Sequence, residues 1–154
     1  MKIFPLISVI IILILFTLLS TSWTKKLKET EVSFRRLDTS TLRCEKIPPH
    51  NVIFYNKEEW GTFWVKNASN NAPEIDFTKY YVAGIFLGVR PNPGYGVEIT
   101  NIKKKNNEVQ IEFTEFLPNP KTRYIQVIVF PCEMIYFSKV DGKITFSGSK
   151  KVRE

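Results

Sequence analysis

Apolar positions in this chain follow three patterns. Ile3 to Leu19 is a solid apolar run behind Met1-Lys2. One interval, 56–67, has helical spacing, and the rest is short segments of apolar or alternating residues separated by turn signals. Val32–Leu37 reads as a first strand and Asp38–Thr41 as a turn. Leu42–Ile47 reads as a weak strand stopped by Pro48-Pro49, and Val52–Tyr55 as a short apolar strand. Asn56 is a good N-cap, with Glu59 three residues on as in a capping box. Trp60, Phe63 and Trp64 share one face of the predicted helix, which places them against a sheet as its anchor.

From Tyr80 the pattern is β again. Tyr80–Gly88 is apolar without alternation, as expected of a central strand covered on both faces. Tyr95–Ile102 and Val109–Phe113 alternate around Asn106-Asn107 and predict a hairpin. Val97 and Ile99 are out of parity with Ile102, so a bulge is expected near Thr100-Asn101. Pro118 and Pro120 end that unit. Tyr124–Phe130 reads as a further apolar strand. Asp141-Gly142 between Cys132–Val140 and Lys143–Phe146 is a strong two-residue hairpin signal. The sum is about seven to nine strands and one short helix. The expected fold is mainly β: an antiparallel β sandwich, possible in an immunoglobulin-like form, or a strongly bent sheet.

The N-terminal run changes the picture of where this domain works. Lys2 precedes it, and Ser20 and Ser22 stand at small-residue spacing before Trp23, as in a secretory signal. An uncleaved membrane anchor is the equal alternative. The expected organisation is residues 1–22 as signal peptide or anchor, 23–31 as linker and 32–154 as one β domain. The expected location is extracytoplasmic: periplasmic, secreted, or held at the membrane by the N-terminal segment alone. In an oxidising compartment Cys44 and Cys132 are either one disulfide or two buried thiols.

Charge and chemistry narrow the function classes. The net charge is +7, but the basic residues are scattered apart from Lys103–Lys105 and Lys150-Lys151, so nucleic acid is not an expected partner. The single histidine, His50, sits beside Pro48-Pro49, and no serine lies in a nucleophile elbow. Two cysteines and one histidine without close spacing make a poor metal site. No catalytic residue, metal or cofactor is expected, and the chain is read as a non-enzyme. Asn67-Ala68-Ser69 matches a glycosylation triplet, which such short patterns often do by chance. The candidate partner-binding residues are Arg90, Pro91, Asn92, Pro93, Gly94 and Tyr95. They leave a buried strand, two prolines restrict their backbone, and Arg and Tyr are frequent hot-spot residues. Arg90→Ala is expected to weaken a partner without disturbing the fold. The competing reading is a plain chain reversal, with Tyr95 packed on the core.

Four blocks in order carry a resemblance: VIFYNKEEWGTFW, IDFTKYYVAGIFLG, RPNPGYGVEI and TRYIQVIVFPCEMIYF. From about Val32 to Lys139 the chain resembles the PrcB-type family, named for a non-catalytic subunit of a secreted protease complex. That resemblance implies an exported accessory module with a protein partner such as a protease. The family loop usually reads Pro-Thr-Gly-Gly-Tyr after Gly-x-Arg. Here Pro91 and Gly94-Tyr95 match, while Asn92 replaces Thr and Pro93 replaces Gly. The loop is also similar to the Asn-Pro-Thr-Thr-Gly-Tyr loop of chagasin-type protease inhibitors, without the two Thr. That similarity implies, as one alternative, a protease inhibitor; the other alternative is a purely structural envelope domain.

Overall fold

The structure is a computed structural model, and it describes residues 29–154. The expected signal or anchor at 1–22 and most of the expected 23–31 linker lie outside the described residues. The last three residues of that segment, Glu29–Glu31, form strand β1.

Eight strands build two sheets among the described residues. Sheet one has the order β1-β5-β6-β8, where β5 is Gly96–Lys105, β6 is Glu108–Leu117 and β8 is Lys143–Val152. Sheet two has the order β2-β7-β4-β3, where β2 is Phe34–Arg36, β3 is His50–Phe54, β4 is Tyr80–Phe86 and β7 is Cys132–Ser138. The expected sandwich is present, with one departure: β8 runs parallel to β6, whereas every other pair is antiparallel.

Strand β4 explains the layering. Its side chains alternate across sheet two, and both faces are covered. Val82 and Phe86 join Phe54, Trp60, Trp64 and Met134 under helix α1, Lys57–Asn67. Ala83 and Ile85 join Ile99, Ile102, Val109, Ile111, Ile135 and Phe137 between the sheets. The unbroken apolar run therefore reflects a strand with a core on each side. Helix α1 starts as expected. The Asn56 carbonyl oxygen Oδ1 accepts the Glu59 amide at 2.9 Å, and the Glu59 carboxylate accepts the Tyr55 amide at 3.1 Å. Trp60 and Trp64 are fully buried and each Nε1 donates to a carbonyl, of Pro73 at 3.0 Å and Asn70 at 3.1 Å.

The bulge falls between Ile99 and Asn101, as the parity change requires. The Glu133 carboxylate accepts the Ile99 amide there, and Arg36 binds Glu133 at 2.6 Å. Thus the ladder's orphaned donor is satisfied from the opposite sheet.

Three sequence readings are corrected. Leu42–Ile47 is no strand: Cys44–Lys46 is a single 3-10 turn, and Leu42 makes only an isolated bridge to Ala68. Tyr124–Phe130 is no strand either, apart from one bridge between Val129 and Arg90. Both sides of β4 and of β6 are already paired, so it cannot pair beside either of them. Asp141-Gly142 does not close a hairpin. It carries the chain from β7 in one sheet to β8 in the other, passing over the β5–β6 tip, where the Lys143 amide donates to Asn107 at 2.7 Å. Gly142, at φ 138°, is needed because a Cβ there would meet the Asn107 carbonyl.

Candidate functional site

The Arg90–Tyr95 loop lies where the ladder between β4 and β7 runs out. Beyond the last strand pair, the Leu87 amide donates to Pro131 at 3.0 Å, and Arg90 and Val129 exchange amide bonds at 2.8 and 2.9 Å. Gly88 turns the chain at φ 70°, with Pro49 filling the space a Cβ would need. At the first residue of β7 the same segment is pinned by the Cys44–Cys132 disulfide, with S–S 2.09 Å. The base of the loop is therefore held by two backbone bridges and a covalent link.

Arg90 is a bracket of that base rather than a free side chain. It donates to the Leu87 carbonyl at 2.7 Å and the Val89 carbonyl at 3.0 Å. Its other nitrogen meets the Glu115 carboxylate at 3.0 Å, and the guanidinium lies 5.8 Å from the centre of the Tyr95 ring. The expectation that Arg90 can be truncated without cost to the fold is revised on this ground. Pro91 and Pro93 are exposed, Asn92 and Tyr95 are half-buried, and Gly94 is buried. Asn92 Oδ1 accepts the Gly94 amide at 3.0 Å, which shapes the tip as an Asx turn. A Cβ on Gly94 would lie 2.6 Å from Pro118 and 2.8 Å from the Tyr124 ring. Glycine is retained at this position because two other segments close on it.

Those contacts reveal a second loop that the sequence reading treated only as a stop. Pro118-Asn119-Pro120 repeats the Pro91-Asn92-Pro93 tripeptide. Asn119 Oδ1 accepts the Lys121 amide at 2.9 Å, so it forms the same kind of turn. Tyr124 Oη accepts the Asn119 amide at 3.1 Å and ties the loop to the segment that follows. A groove of about 500 Å³ lies among Asn92, Pro118, Asn119, Arg123, Tyr124 and Gln126. The repeated tripeptide was the signal available in the sequence.

The segment after this loop is apolar yet exposed. Ile125 is 72% exposed, Val127 45% and Ile128 63%, and Val89 on the neighbouring strand exit is 60% exposed. This end of the molecule thus combines two proline-stiffened turns, Tyr95 and Tyr124, and an uncovered apolar strip. Such an arrangement suits protein contact.

The other candidates lie elsewhere. His50 Nδ1 faces the Pro48 carbonyl at 2.7 Å, and its ring stacks on Phe86. Both cysteines are disulfide-bonded, so neither supplies a thiol for a Cys-His dyad. Asn67 is buried, with its side-chain amide donating to the Phe63 carbonyl at 2.9 Å, which withdraws the acceptor asparagine of the glycosylation triplet from solvent. Among the described residues no group of three His, Cys, Asp or Glu is placed to hold a metal ion.

A family model described as PrcB C-terminal matches residues 81–138, from within β4 through β7. The match contains both Pro-Asn-Pro loops and supports the family resemblance read from the sequence. No curated protein and no solved structure gives a significant match.

Proposed function

We propose, from the match of residues 81–138 to the PrcB C-terminal family model, that this domain is a non-catalytic, extracytoplasmic binding module. It serves as accessory subunit of a protease or other envelope complex. Its partner surface is the end formed by Arg90–Tyr95 and the adjoining Pro118–Ile128 segment. One observation carries the reading: exposed prolines and apolar residues are presented there on a base fixed by the Arg90–Val129 bridge and the Cys44–Cys132 bond. A preorganised surface loses little entropy on binding. The disulfide supports an oxidising location, and the apolar Ile3–Leu19 run supports export.

Photo-crosslinking tests this. A photoreactive residue at Pro93 in the native envelope should give a discrete protein adduct. The same residue at Asn106, at the far end of β5, should not. Equal labelling from both positions, or none from either, would reject the assignment. Tight inhibition of a papain-like protease by the purified chain would instead favour the inhibitor alternative.

A further inference from the structure

We propose that residues Ile125–Ile128 take an extended, apolar peptide with flanking carboxylates as an added strand. This rests on the reading of this end as a protein-binding surface, and it specifies the chemistry of the partner.

The backbone is the first argument. Residues 123–128 belong to no helix or strand, and their one internal backbone bond closes a γ-turn at Gln126. Among the described residues, the amides of Tyr124, Ile125, Gln126 and Ile128 find no backbone acceptor. The Val127 amide reaches only the Ile125 carbonyl two residues back, at 3.1 Å. A run of main-chain amides without backbone acceptors is a template for strand addition, with main-chain bonds giving affinity and side-chain contacts giving selectivity. The side chains are the second argument. Ile125, Val127 and Ile128 project into solvent, and Val89 extends the strip across the Arg90–Val129 bridge. An incoming strand with apolar residues would cover this strip.

Charge decides the occupant. Lys121 and Arg123 are exposed at the start of the segment and make no ion pair among the described residues. Glu115, the carboxylate behind the loop, is already shared by Arg90 at 3.0 Å and Lys150 at 3.8 Å. The rim is therefore cationic and complements carboxylates. A second copy of this chain would bring the same cations, and its own 121–128 segment carries no carboxylate to meet them. The occupant is a different protein.

The test uses the full chain in nanodiscs, which cover its apolar N-terminal run. The probe is the peptide Ac-Glu-Val-Thr-Val-Thr-Val-Glu-amide, followed by amide NMR. Perturbations should centre on residues 124–129. N-methylating alternate peptide nitrogens should weaken binding about tenfold, the scale of a lost hydrogen bond or two. A peptide with Lys in place of both Glu should bind about threefold more weakly, as for an exposed charge pair. Gln126→Pro, which removes an unpaired donor, should also weaken binding about tenfold at unchanged melting temperature. Absence of binding at millimolar peptide overturns the proposal. So does indifference to N-methylation, which would mean apolar contact alone. Self-association in sedimentation that Ile128→Asp abolishes would assign the strip to a second copy and overturn it too. A surviving Pro93 crosslink alongside any of these failures would leave the binding-module reading standing.

Discussion

The Arg90 guanidinium meets the Glu115 carboxylate at 3.0 Å, joining the exit of β4 to β6 in the other sheet. The pair is only partly exposed, 26% for the Arg90 side chain and 13% for Glu115. Removing either partner leaves the other partly buried and unmatched. Arg90→Ala or Glu115→Gln should each cost about 1–3 kcal/mol in urea unfolding. Arg90→Lys should recover little, because one ammonium cannot serve two carbonyls and a carboxylate in a fork. Costs below a few tenths would mean that water already serves these groups. Binding studies with Arg90 variants must therefore be normalised to the folded fraction.

Trp64 is buried between α1 and sheet two and donates to Asn70. Trp64→Ala should destabilise by about 3–5 kcal/mol. A loss under about 1 kcal/mol would be at odds with a core position of this kind.

The Cys44–Cys132 bond spans 88 residues of sequence. On the chain-entropy view, opening it should lower stability by about 3–5 kcal/mol. The Cys44→Ser/Cys132→Ser double variant should show this as a lower urea midpoint. Dithiothreitol should move the wild type the same way and leave the double variant unchanged.

Asp76 turns the chain into β4. Its carboxyl is held at about 2, below the ordinary 3.8, chiefly by the Lys79 side chain and then by the Thr78 hydroxyl and amide. A depressed acid stabilises the fold above its unfolded value and loses that contribution as pH falls through the folded value. The loss thus falls between roughly pH 4 and pH 2. A carbon-13 titration of the carboxyl should show its midpoint near the lower end, and Lys79→Met should raise it. A midpoint at the ordinary value in the wild type would contradict the geometry.

Local signals survived where the neighbours they need are close in sequence. Asn56 and Glu59 cap a helix using only adjacent residues, and the bulge near Thr100 follows from parity between Ile99 and Ile102. The double burial of β4 was also legible, since no polar residue interrupts it. Partner choice was not legible. Asp141-Gly142 has turn chemistry, but β8 finds β6 rather than β7, and no local pattern encodes that. Ile125–Val129 has strand composition, but it joins neither sheet and makes only the Val129–Arg90 bridge, which no local pattern could foretell. In the candidate site the first Pro-Asn-Pro was found from its place after β4. The second was missed, because its importance comes from Gly94 packing on Pro118 and Tyr124.

The parallel pairing of β8 with β6 bears on the order of folding. Residues 118–142 must leave sheet one, lay down β7 and return before Ile111 can face Phe146. Closing so long a loop is slow compared with forming the β5–β6 hairpin. In the interval β6 presents an open edge along its whole length, a template for unwanted chain pairing. The final strand is thus a seal as well as a structural member. Pulse-labelled hydrogen exchange should find the β6–β8 amide bonds protected last, and early protection there would place β8 in the nucleus instead. Any lesion that delays β8 should raise aggregation during refolding well before it lowers the stability of molecules that have finished.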